Sequence, residues 1–441
     1  MSTRSSEAWR NTATLRQLAR LTRPLPAAGP RACAISVYAD GDDLTLAARD
    51  KGFEGVACVD DAARAVVLFL DLWRETGDDR LREWATGLLD FVLFMQGRDG
   101  RFHNFVRSWD GTINEDGPTS YAGSTFWQAR AIRALAKAHL ALRDPRVARP
   151  LAQGFAWVTD NPAPPDIRSI HVLAALDLMY AGLTPVLRET LERWCDEIAE
   201  GRRGDVLLNN ADEQVPHLWG HIQEGVLADA AIVLDRPDLL AIARRSARAL
   251  IVPEIERGFR RPTVQPYSVA AIVYVTDRLH VATNESVYAT LRDHARAWFD
   301  GRNTAGLPVY DRIAGRVHDG VDDGHVSEHS GAESNIVGAQ ALFPEVARRA
   351  SELLDEVSPL PEQPVGQVAR EGLTAAEDRQ TRSPGPARIE KHAPGRRRRL
   401  EEADVPAVQP LGQLGRVRGD LDPNDRCCAG PGVTTHGDPR R

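Results

Sequence analysis

The chain has 441 residues, of which 42% are hydrophobic and 27% charged, and its formal net charge is −7. This composition is typical of a globular protein with one large core or two smaller ones. The modest negative charge gives no electrostatic basis for binding nucleic acid or an anionic membrane. The N-terminus has no secretory apolar core and the five cysteines form no CxxC pair, so we expect a reducing, cytoplasmic location.

Six pairs of helices are predicted in succession, after a lead-in helix at residues 7–22. In each pair the first helix is apolar on all sides, and the second has one apolar stripe and a charged back. The pairs are 60–76 with 79–96, 124–142 with 145–158, 166–183 with 185–200, 217–234 with 237–251, 265–281 with 285–300, and 331–342 with 344–357. Gly77, Pro145 and Pro185 mark joints between helices.

The alternation of the two kinds of helix predicts the architecture. A helix that is apolar all round is buried on every side, whereas a striped helix lies on a surface. A repeat of about fifty residues is typical of a solenoid or a closed ring. The pattern therefore predicts an all-α protein in which an inner layer of helices is wrapped by an outer layer, with an axial pit at one end.

The helical pattern predicts three parts of the chain. Residues 1–30 are expected to be a lead-in segment and residues 31–357 the helical domain. From residue 358 to residue 441 periodicity is lost and Pro, Gly and Arg dominate, which predicts a disordered tail. Its Arg396–Arg399 run is better explained by a solvated segment than by a phosphate-binding patch.

Acidic residues concentrate in the long connection at residues 306–335, which enters the last inner helix. Clustered like charges repel one another, so they are unfavourable unless a function requires them. No apolar pattern gives this segment a packing role. Helix capping accounts for Ser330 and for Glu333 as its capping-box partner. The remaining residues favour a functional site. The candidates for chemistry are Asp322, Asp323, Glu328 and Glu333, and those for binding are Asp311, Arg312, His329 and Asn335.

A second acidic pair opens the first inner helix. Asp60 and Asp61 precede its apolar residues, where carboxylates favour the positive end of the helix dipole, so capping is one explanation. The alternative is that one aspartate caps the helix while the other points into the pit and is balanced by Arg64. Both explanations stay open.

Further candidates combine aromatic rings with hydrogen-bonding groups, as a sugar platform requires. They are His103, Asn104, Trp127, Arg130, His171, His217, Trp219, Glu224 and Tyr267. A core position explains Trp127 equally well, and His171 and Tyr267 could each be a satisfied polar group of the core. His217 and His221 have the i,i+4 spacing of a metal pair but lack a confident third ligand, so we predict neither a metal nor a cofactor.

Two stretches resemble a known family. VDDAARA at residues 59–65 and RVHDGVDDGHVSEHSGAESN at residues 316–335 are similar to segments of the six-hairpin glycosidase superfamily, and more narrowly of bacterial members often encoded beside glycosyltransferases. The resemblance covers about residues 30–355 and implies an (α/α)6 toroid that processes carbohydrate without a retained nucleotide or metal. At residues 124–135 the acidic residue of the group's pattern is absent although Arg130 is kept, and Glu115 and Asp116 lie nearby on the loop.

We expect a glycoside hydrolase with one carboxyl from Asp60 or Asp61 and another from residues 322–333 on the facing wall, because ring closure makes the first and sixth hairpins neighbours. The alternatives are a sugar epimerase with paired histidines, drawn from His171, His217 and His329, and a non-catalytic glycan-binding partner of a glycosyltransferase. The expected ligand is an oligosaccharide or other glycan, with no nucleic acid and no membrane.

Overall fold

The computed structural model describes residues 15–40, 45–46, 54–123, 125–179 and 185–354. The predicted tail, Cys427 and Cys428, the arginine run and the first 14 residues lie outside this part, as do the ends of the predicted helices at 166–183 and 344–357. The three-part division of the chain therefore stays a prediction. Within the described lead-in segment, a short helix α1 (Leu15–Leu21) packs against the last helical hairpin.

The described helices form two layers. The inner helices are α2 (Val59–Thr76), α4 (Phe126–Leu142), α6 (Pro165–Met179), α8 (Gln223–Leu234), α11 (Pro266–Thr283) and α13 (Ala332–Ala341). The outer helices are α3 (Asp79–Phe94), α5 (Pro145–Asp160), α7 (Pro185–Glu200), α9 (Pro237–Ser246), α10 (Val252–Glu256), α12 (Ser286–Arg296) and α14 (Phe343–Leu354).

The inner helices close into a ring. Each packs against the next along the chain, and α13 returns to pack against α2. Burial follows the layers: every residue of α6 from Asp166 to Leu176 is buried, whereas on α5 burial is confined to one stripe that includes Leu151 and Phe155. The predicted all-α toroid of six hairpins, (α/α)6, is confirmed.

Short antiparallel strands organise the connections that enter the inner helices. The strands are β1 (Thr22–Pro24), β2 (Cys33–Ile35), β3 (Tyr38–Ala39), β4 (Thr45–Leu46), β5 (Ala57–Cys58), β6 (Phe105–Val106), β7 (Arg202–Arg203), β8 (Val206–Leu207), β9 (Thr263–Val264), β10 (Tyr310–Asp311), β11 (Arg316–Val317), β12 (Val321–Asp322) and β13 (His325–Val326). Their pairs are β1–β2, β3–β4, β5–β6, β7–β8, β10–β11 and a three-stranded β13–β12–β9. They lie at the end of the ring where the inner helices begin, so they build the rim of the pit.

Several helix boundaries differ from the sequence pattern. The helix predicted from residue 217 begins at Gln223, because Gly220 takes a left-handed φ of 68° and the chain turns there. The helix predicted to reach residue 251 ends as α9 at Ser246 and continues through a π-helical turn, Ala247–Ile251, into α10. No helix among the described residues has the length and hydrophobicity that crossing a membrane would require.

Candidate active site

Arg64 is the centre of a charged cluster at the N-terminal ends of the inner helices. Its side chain is 8% exposed, and its guanidinium contacts three carboxylates. Nη1 donates to Oε1 of Glu333 at 2.6 Å, and Nη2 donates to Oδ1 of Asp61 at 2.8 Å and to Oδ2 of Asp60 at 3.1 Å. Asp60 and Asp61 begin α2 and Glu333 begins α13, so the cluster joins the two ends of the ring.

Arg130 extends the cluster to two further inner helices. It lies in the second turn of α4, is 6% exposed, and pairs with Oδ2 of Asp60 and with the hydroxyl of Tyr267 at the start of α11. Both arginines also approach the Tyr267 ring, at 5.2 Å for Arg64 and 5.4 Å for Arg130. Four of the six inner helices thus contribute to one polar network, which we call the Arg64 cluster: Asp60, Asp61, Arg64, Arg130, Tyr267 and Glu333.

Asn104 and Cys58 hold the first turn of α2 in place. The backbone oxygen of Asn104 accepts from the N–H of Val59 at 2.8 Å, and its side-chain oxygen accepts from the N–H of Asp60 at 3.1 Å. Cys58 is the N-cap residue, and its thiol accepts from the N–H of Asp61 at 3.5 Å and donates to Oδ2 of that side chain at 3.4 Å. Capping therefore fixes both aspartates, but the capping groups are Asn104 and Cys58 rather than the aspartates themselves.

The acids of the cluster occupy unlike environments. Asp61 is 3% exposed, and burial raises its pKa from 3.8 to about 6; Arg64 acts against this rise, while Glu333 and Asp60 reinforce it. The side chain of Glu333 is 44% exposed. Burial also raises the pKa values of Asp319 and Tyr38, and the Glu333 charge adds to both shifts. The site therefore holds a buried acid that titrates near neutrality beside an accessible carboxyl.

An aromatic wall adjoins the cluster. The rings of His217 and Trp219 stack at 3.9 Å with an angle of 3° between their planes. Trp219 lies 6.2 Å from Tyr267 and 5.6 Å from Phe126, which itself packs under Arg130. Flat rings beside hydrogen-bonding groups are suited to binding the faces and hydroxyls of a sugar.

A cavity of ≈ 400 Å³ runs along the ring axis from this cluster. Arg64, Arg130 and Tyr267 line its upper end, together with Gly220. Gly220 combines a left-handed φ of 68° with close packing, because a Cβ atom there would lie 2.5 Å from the Tyr267 hydroxyl. The loop between the aromatic wall and α8 therefore accepts no side chain at this position without moving Tyr267.

Four acidic-segment residues lie apart from the Arg64 cluster in the described structure. Asp322 and Asp323 belong to a hairpin in which β12 and β13 are joined by Asp323 and Gly324, both with positive φ. Asp322 accepts from the Thr263 hydroxyl, and the Asp323 N–H donates to Pro262. The Asp-Gly pair is the usual sequence of such a turn, which accounts for these acids without chemistry. Glu328 is exposed, and Asp311 caps the turn at Ile313 and Ala314.

Four further candidates have contacts that support the fold. His171 lies between the layers, 5.6 Å from Trp194 of α7 and 3.2 Å from a nitrogen of Arg168. Glu224 is fully buried and accepts from His221 at 3.0 Å and from Ser246 at 2.5 Å. The Trp127 indole donates to the Phe102 carbonyl, and Asn335 ties Val317 to Gly331. The core explanation left open for Trp127 thus agrees with its contacts.

The remaining candidates lie in the connections that enter the inner helices. Arg312 pairs with Asp300 and Glu345 on outer elements, and its guanidinium lies over the Tyr310 ring. His103 and His329 are half-buried in the entry loops, and the His329 backbone oxygen accepts from the N–H of Asp319.

Three residues near the site could not be singled out from the sequence. Cys58 has the pattern of a buried thiol, and Tyr38 lies well before the first hairpin, so neither carries a signal of chemistry. Asp319 belongs to the acidic segment, but its spacing does not distinguish it from Asp322 and Asp323. Only the folded ring brings Tyr38 and Asp319 close to Glu333, and Cys58 contacts Asp61.

Comparison with known proteins identifies the fold and no family. The sequence matches no protein-family model and no curated protein. Among solved structures, a D-mannose isomerase has a TM-score of 0.58 at 10% identity, over 79% of this chain and 99% of the other. A sugar epimerase from a ruminal bacterium has a TM-score of 0.57 at 13% sequence identity, over 79% of this chain and 99% of the other. A cellobiose 2-epimerase from Spirochaeta thermophila has a TM-score of 0.57 at 15% sequence identity, over 79% of this chain and 97% of the other.

Proposed function

We propose that the protein is a carbohydrate-active enzyme, and specifically a glycoside hydrolase that uses the carboxyl groups of Asp61 and Glu333. The observation that carries the proposal is the bridge formed by Arg64, whose two terminal nitrogens contact these two carboxyls. One of the two is buried with a raised pKa and the other is accessible. Carboxyls whose environments differ in this way are suited to opposite roles in acid–base chemistry.

Glycoside hydrolysis requires one protonated carboxyl and one carboxylate. In this proposal Asp61 donates its proton to the glycosidic oxygen as the carbon–oxygen bond breaks. Glu333, held by Arg64, accepts a proton from the water whose oxygen bonds to the same carbon. The sugar leaves with a new hydroxyl, the leaving group takes the proton of Asp61, and exchange with solvent restores both carboxyls.

The rest of the cluster serves substrate binding in this proposal. Asp60 lies between Arg64 and Arg130, and its buried Oδ1 atom has no hydrogen-bond partner among the described residues, so it can accept from a sugar hydroxyl. Trp219 and Tyr267 offer ring faces for stacking. A sugar between these groups would form hydrogen bonds to the charged side chains through its hydroxyls, and its apolar face would stack on the aromatic rings.

The test is release of reducing sugar from a glycan panel by the purified protein, with and without phosphate. Wild-type protein is expected to release a new reducing end, and Glu333→Gln to lose about 10²–10⁴-fold in rate. The matched control is Glu83→Gln, an exposed glutamate on outer helix α3, which is expected to retain full activity. Full activity of Glu333→Gln would remove Glu333 from the mechanism, and release that depends on phosphate would indicate phosphorolysis.

A sugar isomerase or epimerase is the second candidate. It is supported by the three solved structures named above and by His217 in the aromatic wall. The Nδ1 of His217 donates to the Trp219 carbonyl, burial lowers the pKa of the ring, and Nε2 lies 3.6 Å from Glu213, so a neutral base is available. Of the other two histidines predicted for such a pair, His171 lies between the helix layers and His329 lies in the connection that enters α13.

Isotope exchange separates the two candidates. An epimerase or isomerase incorporates deuterium from solvent at a sugar carbon or interconverts isomers without changing the number of reducing ends, whereas a hydrolase creates a reducing end. Tight oligosaccharide binding with neither outcome over long incubation would instead support a non-catalytic glycan-binding role, including association with a glycosyltransferase.

A further inference from the structure

The helix that carries Glu333 is not capped in the way that the sequence predicts. Gly331 is the N-cap residue of α13 and has no side chain that could cap it. The hydroxyl of Ser330 donates instead to the Val317 carbonyl at 2.8 Å, and the Glu333 carboxyl accepts from Arg64. The capping box predicted from Ser330 and Glu333 is therefore not formed, and the acceptor for the start of α13 comes from elsewhere in the chain.

Asp319 supplies that acceptor. Its Oδ1 atom accepts from the backbone N–H of Gly331 at 2.8 Å, and its side chain also accepts from the hydroxyl of Ser334. Gly331 precedes Glu333 and Ser334 follows it, both within two residues. One carboxyl thus holds the first turn of α13 on either side of the residue that contacts Arg64.

The acidic hairpin fixes Asp319 in turn. The N–H of Asp319 donates to the His329 carbonyl at 2.9 Å, and the N–H of Ser327 donates to the Gly320 carbonyl at 2.9 Å. These two bonds continue the β12–β13 ladder away from its turn. The hairpin therefore contributes to the site through its base, where Asp319 lies, and not through the acidic pair at its tip.

The N-terminal segment at residues 37–39 holds the same helix start through its backbone. The N–H of Ala332 donates to the Val37 carbonyl at 2.9 Å, and the N–H of Ser330 donates to the Ala39 carbonyl at 3.2 Å. These bonds do not involve the Asp319 side chain. Replacement of that side chain is therefore expected to loosen the first turn of α13 and to leave the helix in its place.

We propose that Asp319 is a positioning residue for Glu333, which holds the first turn of α13 so that the Glu333 carboxyl stays beside Arg64. The inference rests on the proposed hydrolase function, because Glu333 is the carboxyl that accepts the proton of water there. It follows from the contacts of Asp319 with the residues on either side of Glu333. Asp319 acts through Glu333 and does not contact the substrate.

The experiment compares Asp319→Ala with Asp319→Asn. An asparagine keeps an acceptor oxygen, whereas an alanine keeps none. Asp319→Ala is expected to lower kcat roughly 10- to 10²-fold and to change KM by less than about threefold, because a small misplacement of a reacting group has effects of that order. Asp319→Asn should retain most of the wild-type kcat. The control Asp144→Ala, which removes the corresponding acceptor from outer helix α5, should change neither constant.

A double variant tests whether Asp319 acts through Glu333. If it does, Asp319→Ala has no further effect once Glu333→Gln has been made, so the double variant and Glu333→Gln should have equal kcat. A dinitrophenyl glycoside keeps these low rates measurable. A normal kcat in Asp319→Ala, or additive losses in the double variant, would overturn the inference. The hydrolase proposal would then stand as long as Glu333→Gln alone loses activity.

Hydrogen exchange of the Gly331 amide tests the same contact without turnover. Asp319→Ala should raise its exchange rate roughly fivefold, as the loss of one hydrogen bond predicts, and Asp319→Asn should leave it close to the wild-type rate. Equal rates in all three proteins would overturn the inference. The expected difference in exchange, with no turnover of any glycoside by wild-type protein, would support the contact of Asp319 with α13 and contradict the hydrolase proposal.

Discussion

Arg64 and Glu333 are 269 residues apart in the sequence and form a 2.6 Å ion pair across the closure of the ring. Arg64 belongs to the first inner helix and Glu333 to the last, so this contact exists only if the ring closes. It also places the accessible carboxyl of the site next to the buried one. Closure and chemistry thus depend on the same guanidinium.

Replacement of Arg64 tests this dependence. Arg64→Met leaves the buried carboxylate of Asp61 without its cationic partner and removes one partner each from Asp60 and Glu333, and we expect a loss of about 3–5 kcal/mol in the free energy of unfolding together with loss of activity. Denaturant unfolding measures the first effect. The control is Arg193→Met, whose half-exposed side chain lies 4.0 Å from Glu197 and is expected to contribute about 0–1 kcal/mol. Equal stability of both variants would contradict the central position of Arg64.

The raised pKa of Asp61 predicts a pH dependence of stability. Between the pKa of 3.8 for an unperturbed aspartate and the folded value of about 6, the native state binds more protons than the unfolded state at this site. Its contribution to stability is therefore complete below the unfolded pKa and is lost as the pH rises through about 6. Asp61→Asn should reduce the slope of the unfolding free energy against pH across this range, and the raised pKa values of other buried aspartates, Asp166 and Asp319 among them, should maintain the remainder. The exposed-residue control Asp205→Asn should leave the slope as it is.

Gly220→Ala is expected to disturb the site through Tyr267. The left-handed backbone costs an alanine about 1–2 kcal/mol, and the new Cβ also meets the Tyr267 hydroxyl at 2.5 Å. Gly204 is the matched control, because its φ of 59° imposes a similar backbone cost while nothing lies within 4 Å of its Cβ position. Thermal unfolding and substrate affinity should both worsen more for Gly220→Ala. Equal effects of the two variants would show that contact with Tyr267 has no consequence.

Asn104→Ala separates positioning from stability. The side chain of Asn104 accepts from the Asp60 N–H, and that of Asp144 accepts from the Arg146 N–H on outer helix α5. The control variant is Asp144→Ala. Both Asn104→Ala and Asp144→Ala are expected to lower the free energy of unfolding by about 1 kcal/mol. Only Asn104→Ala should also lower kcat, because it releases the helix turn that carries Asp60 and Asp61. A normal kcat in Asn104→Ala would show that this hydrogen bond does not position the acids.

The sequence predicts the ring but only part of the site. The alternation of helix types predicts the two layers. Closure of the ring then predicts that residues 60–64 lie close to residue 333, and no other sequence signal is needed. The hairpin turn at Asp323-Gly324 could also have been predicted, because Asp-Gly is a typical turn sequence. That signal is stronger evidence for a turn than the density of acidic residues is for a catalytic site. The orientation of His171 could not have been predicted, because a helix that is apolar on all sides has no sequence pattern that shows which side faces the ring axis. The position of Glu224 is explained by its hydrogen bond from Ser246. That contact joins two different helices and could not be predicted from the sequence.

The most direct test of the central claim compares leaving groups in Asp61→Asn. An alkoxide leaving group needs a proton from an acid, whereas dinitrophenolate leaves without one, so loss of the acid should lower kcat for a methyl glycoside by about 10²–10⁴-fold. With a dinitrophenyl glycoside of the same sugar, kcat should stay close to that of the wild-type protein. An equal loss on both substrates would contradict the assignment of Asp61 as the proton donor.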